Sequence, residues 1–188
     1  GSVYTIEGQD ISMTVDTSKG ITSWKQGGIS VIPDATDAST APAYSNYRWI
    51  ENDAPYGTDP YYSTSNGINN RSFSVSASAD GSAVTITEDA TGSLCNYKFI
   101  YIVNRDGSVD LDASYTVRGT NLRRIGMLME LDPDLSLTQY YARGPLDNTI
   151  DRKQGADLGI YELPVSGFHV DYVRPQTSGD RQDLRWIT

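Results

Sequence analysis

Cysteine and histidine are all but missing: the chain has one of each, Cys95 and His169. A lone cysteine excludes an intrachain disulfide framework, and one Cys with one His cannot supply a Cys/His zinc site. Cys95 is expected to be a buried structural thiol, because cysteine is among the most buried residue types. The acidic run "NRDGSVDLD" (104 to 112) lacks the spacing and the closing Glu of an EF-hand loop. Asp110 and Asp112 therefore read as a solvated strand face, and no metal site is expected. No G-x-S-x-G elbow presents a serine to His169, so nucleophilic catalysis is not expected. The alternating, strand-like setting of His169 and Asp171 makes the histidine a half-buried strand residue.

Long apolar runs are missing too. No stretch reaches the roughly eighteen apolar residues that suggest a membrane-spanning helix. The chain opens Gly1-Ser2 without the basic and apolar regions of a signal peptide, and this opening reads as a cleavage scar on a piece of a longer protein. Cations are in deficit: 15 Lys and Arg face 24 Asp and Glu, a net charge of -9. Such a chain is repelled by nucleic acid and by anionic membrane surfaces, so neither is an expected partner. Apolar residues nowhere recur at helical spacing for long enough to predict a substantial helix. A length of 188 residues suits one core, and 1–188 is expected to form a single domain.

What remains is alternation. Val109, Leu111, Ala113, Tyr115 and Val117 are apolar and the residues between them polar, the pattern of a strand with one buried and one wet face. Phe73, Val75 and Ala77 repeat it, as do Val84 and Ile86, then Ile125, Met127, Met129 and Leu131. "YKFIYIV" (97 to 103) is apolar on both faces and belongs in the middle of a sheet. "NRDGS" (104 to 108), "ADGS" (79 to 82) and "TSKG" (17 to 20) predict hairpins, because Asp and Gly tolerate the positive φ of tight turns. The pattern predicts an all-β fold, an antiparallel β-sandwich.

Two segments escape this regularity. Residues 33 to 71 form a long Pro-, Gly- and Asn-rich excursion, of a kind that is usually functional or disordered. Its aromatics, Tyr44, Tyr47, Trp49, Tyr56, Tyr61 and Tyr62, argue against disorder and need covering by the domain, a neighbouring domain or a ligand. The second segment, 143 to 185, concentrates charge. Arg143 precedes Gly144-Pro145, and Asp147, Asp151, Arg152 and Lys153 follow. "YVRPQTSGDRQDLRW" (172 to 186) adds Arg174, Arg181, Asp183 and Arg185. Guanidinium forks match carboxylates, and a long loop must satisfy its backbone polar groups. A structural network that ties the loops down therefore outweighs a ligand site. Glycoside hydrolysis needs two carboxylates about 5 to 5.5 Å apart in retaining enzymes, and nothing local marks such a pair.

The same two runs carry a family resemblance. "RGPLDNTIDRK" followed by "YELPVSGFHVDYVRPQTSGDRQDLRW" resembles the C-terminal β-sandwich, or small-chain, domain of glycoside hydrolase family 2 β-galactosidases. That family's pattern runs G-P-x-E-N-Y-x-D-R and then P-Y-x-x-P-Q-E-N-G-x-R-x-D-x-R. Gly144, Pro145, Asn148, Asp151 and Arg152 match the first part. Tyr172, Pro175, Gln176, Gly179, Arg181, Asp183 and Arg185 match the second. "GITSWKQGGISVI" (20 to 32) looks like the domain's opening hairpin, and "RWIEND" (48 to 53) is similar to R-A-P-x-D-N-D. Asp147 stands where the family has Glu, Thr149 where it has Tyr, and Thr177-Ser178 where it has Glu-Asn.

The resemblance implies a supersandwich like that of galactose mutarotases, with 1–188 as the N-terminal part of a domain that continues beyond Thr188. It implies an accessory role: the family's two catalytic glutamates lie in a (β/α)₈ barrel, so this chain holds no catalytic residue and no cofactor, and alone hydrolyses nothing. Expected partners are the parent's catalytic barrel and a carbohydrate substrate, and a homo-oligomer of the parent is compatible with the resemblance. The compartment stays open between bacterial cytoplasm and periplasm. Trp49, Asn52, Asp53, Tyr56, Tyr61 and Tyr62 are the implied substrate-side residues, since tyrosine faces suit pyranose C–H groups. An independent carbohydrate-binding module and a purely structural sandwich are the alternatives.

Overall fold

A computed structural model describes residues 1–34, 42–46, 68–118, 124–173 and 178–188. The described chain is all-β, built from antiparallel sheets and two short 3-10 turns, Lys153–Gly155 and Val165–Phe168. It falls into two compact units, which divide at Asp132/Pro133 in the described chain.

The first unit opens with β1 (Val3–Gly8), β2 (Ile11–Asp16), β3 (Gly20–Gln26) and β4 (Ile29–Ser30), a meander hydrogen-bonded in chain order. A second meander joins β6 (Ile68–Ala77), β7 (Ala83–Gly92), β8 (Cys95–Asn104) and β9 (Val109–Val117), and the short β5 (Ala43–Ser45) pairs with β10 (Gly126–Leu128). Ile6, Ile11, Met13, Val15 and Ile21 of the first meander share one buried cluster with Ile86, Cys95, Tyr97, Phe99, Tyr101 and Val103 of the second. Two antiparallel sheets meeting over one core are consistent with a β-sandwich. Burying each of these large side chains contributes about 1.5–3 kcal/mol. Aromatic contacts knit the centre: Tyr44 stacks on Tyr97 with centroids 5.4 Å apart, and Phe99 meets Tyr115 edge-on at 5.8 Å.

All three predicted hairpins form, and they share a device. Asp16, Asp80 and Asp106 each accept on Oδ1 the N–H and the hydroxyl of the serine two residues on, Ser18, Ser82 and Ser108. A side chain that closes its own turn fixes the register of the strands it joins. Gly107, at φ 89°, is wedged so close to the neighbouring hairpin that a Cβ there would lie 2.3 Å from the Gln9 carbonyl oxygen.

β8 lies between β7 and β9, as "YKFIYIV" predicts. Only its Cys95, Tyr97, Phe99, Tyr101 and Val103 row is buried, however, and Ile102 on the reverse is 38 % exposed. The expected alternation at 125 to 131 yields the three-residue β10 alone. Its one described sheet neighbour, β5, is itself three residues long.

The second unit centres on β11 (Leu137–Gly144), flanked by β12 (Asp157–Pro164) and β13 (Trp186–Ile187). β12 is a regular strand inside the segment expected to be irregular: its apolar residues fall on both faces, Leu158 and Ile160 on one and Tyr161 and Leu163 on the other, which hides the period of two. Tyr140 is buried against Tyr161 and Phe168, with ring centroids 5.7 and 5.5 Å away.

Candidate functional site

The charged motifs meet in the second unit. Asn148, 1 % exposed, sits at their centre. Its Nδ2 donates to the carbonyls of Arg143 and Leu146, each at 2.9 Å, while Oδ1 accepts the Gln182 N–H at 2.9 Å. Its backbone N–H donates to the Asp180 carbonyl at 3.0 Å. An amide serves here because carbonyls need a donor and the N–H needs an acceptor, and Asn offers both on one short side chain.

Asp147 is the buried charge beside it, its side chain 3 % exposed. Oδ1 accepts the Asp180 N–H at 2.5 Å and Oδ2 accepts the Tyr172 hydroxyl. The carboxylate pushes that phenol above its usual range. Two cations neutralise it at longer range, Arg181 Nη1 at 3.9 Å and Arg152 Nη2 at 3.8 Å. Arg181 is 6 % exposed at its side chain. It lies over the Phe168 ring at 4.8 Å and donates to the Tyr140 hydroxyl and the Asp180 carbonyl, both at 3.0 Å. A planar guanidinium can stack and donate at once, which an ammonium cannot.

Asp183 forms a second node. It adopts φ 54°, a left-handed backbone that Asp tolerates better than most residues. Lys153 Nζ and Arg143 Nε each donate to its carboxylate at 2.7 Å, and together they hold its pKa below the usual carboxylate range. Arg143 also donates through Nη1 to the Ala156 carbonyl at 2.8 Å. Asp151 accepts the Thr149 hydroxyl, and Arg152 lies 5.1 Å above the Tyr172 ring.

Gly144, before a cis bond to the exposed Pro145, is needed for space: a Cβ would stand 2.9 Å from the Tyr161 ring. Gly179 turns at φ 90°. Arg185 contributes its backbone, donating to the Tyr141 carbonyl at 2.8 Å, and the residue is exposed.

The structure thus brings together Arg143, Asp147, Asn148, Arg152, Arg181 and Asp183. Arg174, Pro175 and Gln176 lie outside the described residues, as do the substrate-side Trp49, Asn52, Asp53, Tyr56, Tyr61 and Tyr62. Chemically the network holds loops. A general acid needs a raised pKa, whereas Asp183 is held down and Asp147 is committed to fixed donors.

His169 departs from its expected half-buried strand position. It follows the 3-10 turn Val165–Phe168, outside any strand, and its side chain is 70 % exposed. Nε2 lies 2.9 Å from Asp171 Oδ1 and Nδ1 3.3 Å from Ser178 Oγ. The three residues form a water-bathed chain, with Asp171 97 % exposed at its side chain, so solvent screens the charge coupling that a catalytic triad concentrates.

One buried charge escaped the sequence reading. Glu88 on β7 is 1 % exposed, accepting from Arg71 Nε at 2.5 Å and the Tyr97 hydroxyl at 2.6 Å. The signal was parity: Glu88 follows Ile86 by two positions on the same core-facing row, opposite Phe73. Also in the first unit, a groove of about 370 Å³ opens between Tyr4, Ile6, Val75, Ala77 and Val84, and it shares no residue with the predicted site.

Comparison with known proteins gives this geometry its context. The family model described as β-galactosidase small chain matches residues 7–188. The β-galactosidase of Priestia megaterium is 33 % identical over 98 residues, covering 51 % of this chain and 10 % of the relative. That of Halalkalibacterium halodurans is 33 % identical over 92 residues, 46 % of the chain and 9 % of the relative. That of Aeromonas hydrophila is 29 % identical over 133 residues, 65 % of the chain and 13 % of the relative. The matched part of the chain spans about a tenth of the length of these curated relatives. With its motif loops pinned around Asn148 and Asp147 and its family model matched almost end to end, the chain belongs to the β-galactosidase small-chain family.

Proposed function

We propose that the chain is an accessory domain of a retaining family 2 β-galactosidase. It packs on the parent's catalytic barrel and walls one side of the galactoside pocket, and it works without a catalytic residue or cofactor of its own. The observation that carries this reading is the match of residues 7–188 to the small-chain family by a chain that spans only a tenth of its relatives. The site supports it: buried Asp147 and low-pKa Asp183 are occupied by arginine, lysine and backbone donors, an arrangement that shapes a surface and does not move protons.

The test is hydrolysis of a chromogenic β-galactoside. The chain alone is expected to give no turnover, and the longer polypeptide that carries it to cleave the substrate with retention. Turnover by the chain alone that vanishes when one of its own carboxylates is changed to an amide overturns the reading. Titration calorimetry of the chain with galactose and lactose separates it from an independent carbohydrate-binding module, which binds sugar unaided.

A further inference from the structure

β1 lies at the edge of its sheet. Among the described residues its sheet neighbour is β2 alone, and Val3, Thr5 and Glu7 are exposed. The parity of the ladder fixes which main-chain groups are left over. The Thr17 N–H donates to the Ser2 carbonyl at 3.0 Å, which makes Ser2 and Thr17 a hydrogen-bonded pair. By alternation along the unbroken register, Tyr4, Ile6 and Gly8 bond to β2, while Val3, Thr5 and Glu7 turn their N–H and C=O groups away from it.

Sheet edges are usually blunted by brevity, by charge, by proline or by a bulge. β4, at the far side of the same sheet, is two residues long. In the facing sheet, β6 has a register irregularity between Ile68 and Asn70 and carries Arg71, and β9 carries Asp110 and Asp112. β1, "VYTIEG", has no lysine, proline or bulge, and its one charge is Glu7.

The strand that this edge fits is itself. Val3, Thr5 and Glu7 are evenly spaced about Thr5, so a twofold axis through Thr5 sets two antiparallel copies donor to acceptor along the whole edge. Val3 then faces Glu7 and Thr5 faces Thr5, each as a hydrogen-bonded pair. A slide of two residues leaves Val3 or Glu7 without a strand residue opposite. The same register keeps each Glu7 away from its counterpart, since like charges directly opposite destabilise a ladder. On the core side, Tyr4 of one copy meets Ile6 of the other, an aromatic against a β-branched residue. Tyr4 is 41 % exposed and lines the groove beside Val75 and Ala77, so the second copy covers apolar surface that one copy leaves bare. A six-residue edge buries less than the roughly 800 Å² per partner of a standard interface, and a net charge of -9 on each copy opposes the approach. The pair is therefore weak, and salt strengthens it.

We infer that β1 is the seam of a twofold homodimer, across which the sheet β1 to β4 of one copy continues into that of a second. The inference does not rest on the accessory-domain reading: turnover by the chain alone would defeat that reading and leave the seam in place.

Sedimentation equilibrium and cysteine linkage test it. The mass is expected to rise with concentration from that of one chain towards that of two, more steeply in high salt. Paired Thr5 residues place their Cα atoms about 5.5 Å apart, within the span of a disulfide, and Cys95 is buried out of reach. Under mild oxidation Thr5→Cys is expected to give linked dimers. Val3→Cys and Glu7→Cys are each expected to link several-fold less alone, and to link to one another when mixed. Thr5→Pro removes an outward N–H without touching the bonds to β2 and is expected to abolish the association.

A chain that sediments as a monomer at every concentration overturns the inference, as does linkage that ignores this pattern of positions. A longer polypeptide in which Thr5→Cys stays unlinked, with the Thr5 N–H protected from exchange at every dilution, also overturns it, because a strand of that polypeptide then covers the edge.

Discussion

Asn148 Oδ1 accepts the Gln182 N–H at 2.9 Å, joining residues 34 positions apart in the chain. Through that bond and the two that Nδ2 makes to Arg143 and Leu146, one buried side chain ties β11, the turn after it and the approach to β13 together. Asn148→Ala leaves two carbonyls and one N–H without this partner and is expected to destabilise the protein by about 1–3 kcal/mol. Asn148→Asp keeps the acceptor but loses both donors, and is expected to cost at least as much. Thermal unfolding followed by circular dichroism measures both; a Tm unchanged in either variant contradicts the central role given to Asn148.

The two arginines around Asp147 differ in burial and so in consequence. Arg181→Ala strips a buried carboxylate of a nearby cation and empties the space beside Phe168, and is expected to cost about 3 kcal/mol or more. Arg152 is 44 % exposed at its side chain, and Arg152→Ala is expected to cost at most about 1 kcal/mol, because solvent screens such pairs. Denaturant melts of the two variants side by side decide the matter, and a reversed order rules out this assignment of roles.

Glu88 is a buried charge of the first unit. Glu88→Ala orphans the Tyr97 hydroxyl and removes the partner of Arg71, whose side chain is 31 % exposed, with an expected cost of about 1–3 kcal/mol. If the pair is the reason, the double variant Arg71→Met with Glu88→Leu recovers much of the loss. Failure of the double variant to exceed Glu88→Ala in urea midpoint shows that shape, not charge, dominates there.

The Asp-x-Ser turns set an acid limit. Hydrogen bonds from Ser82 and Ser78 lower the Asp80 pKa from 3.8 to about 2, and the Asp16 and Asp106 values are lowered for the same kind of reason. Because the folded values lie below the unfolded ones, the stabilisation is complete above about 3.8 and is lost as pH falls through the folded values towards about 2. Asp80→Asn, which keeps an acceptor without a titrating group, is expected to flatten the fall of Tm across that window. A profile as steep as the parent's excludes Asp80 as a contributor.

Much of this architecture can be read from the chain. Asp80-Gly81 and Asp106-Gly107 announce their turns because few residue types accept the positive φ, and Val109 to Val117 announces β9 because one wet face enforces alternation. β12 was hidden because both of its faces are apolar. Met127 promised a longer strand than β10, since alternation records which residues are apolar and not whether a neighbour is there to pair with them. For the site, the residue types of 143–153 and 178–185 point to an ion-pair network, but which carboxylate takes which cation depends on chain reversals that no local pattern encodes. Asp147 and Asp183 are three and two positions from matched motif glycines or arginines, yet one is buried beneath Tyr172 and the other bridges Lys153 and Arg143. Glu88 is legible by parity, two positions beyond Ile86 on the core-facing row.

The wedge of Gly107 beneath Gln9 has a practical consequence. With Gln9 N–H also donating to the Arg105 carbonyl at 3.0 Å, those two hairpin tips are clamped, and a fluorophore or affinity peptide grafted at either would pry the other loose. The turn at Gly27-Gly28 belongs to the same corner, since the Gly27 N–H donates to the Asp10 carbonyl at 2.6 Å. A label is therefore best placed away from all three turns.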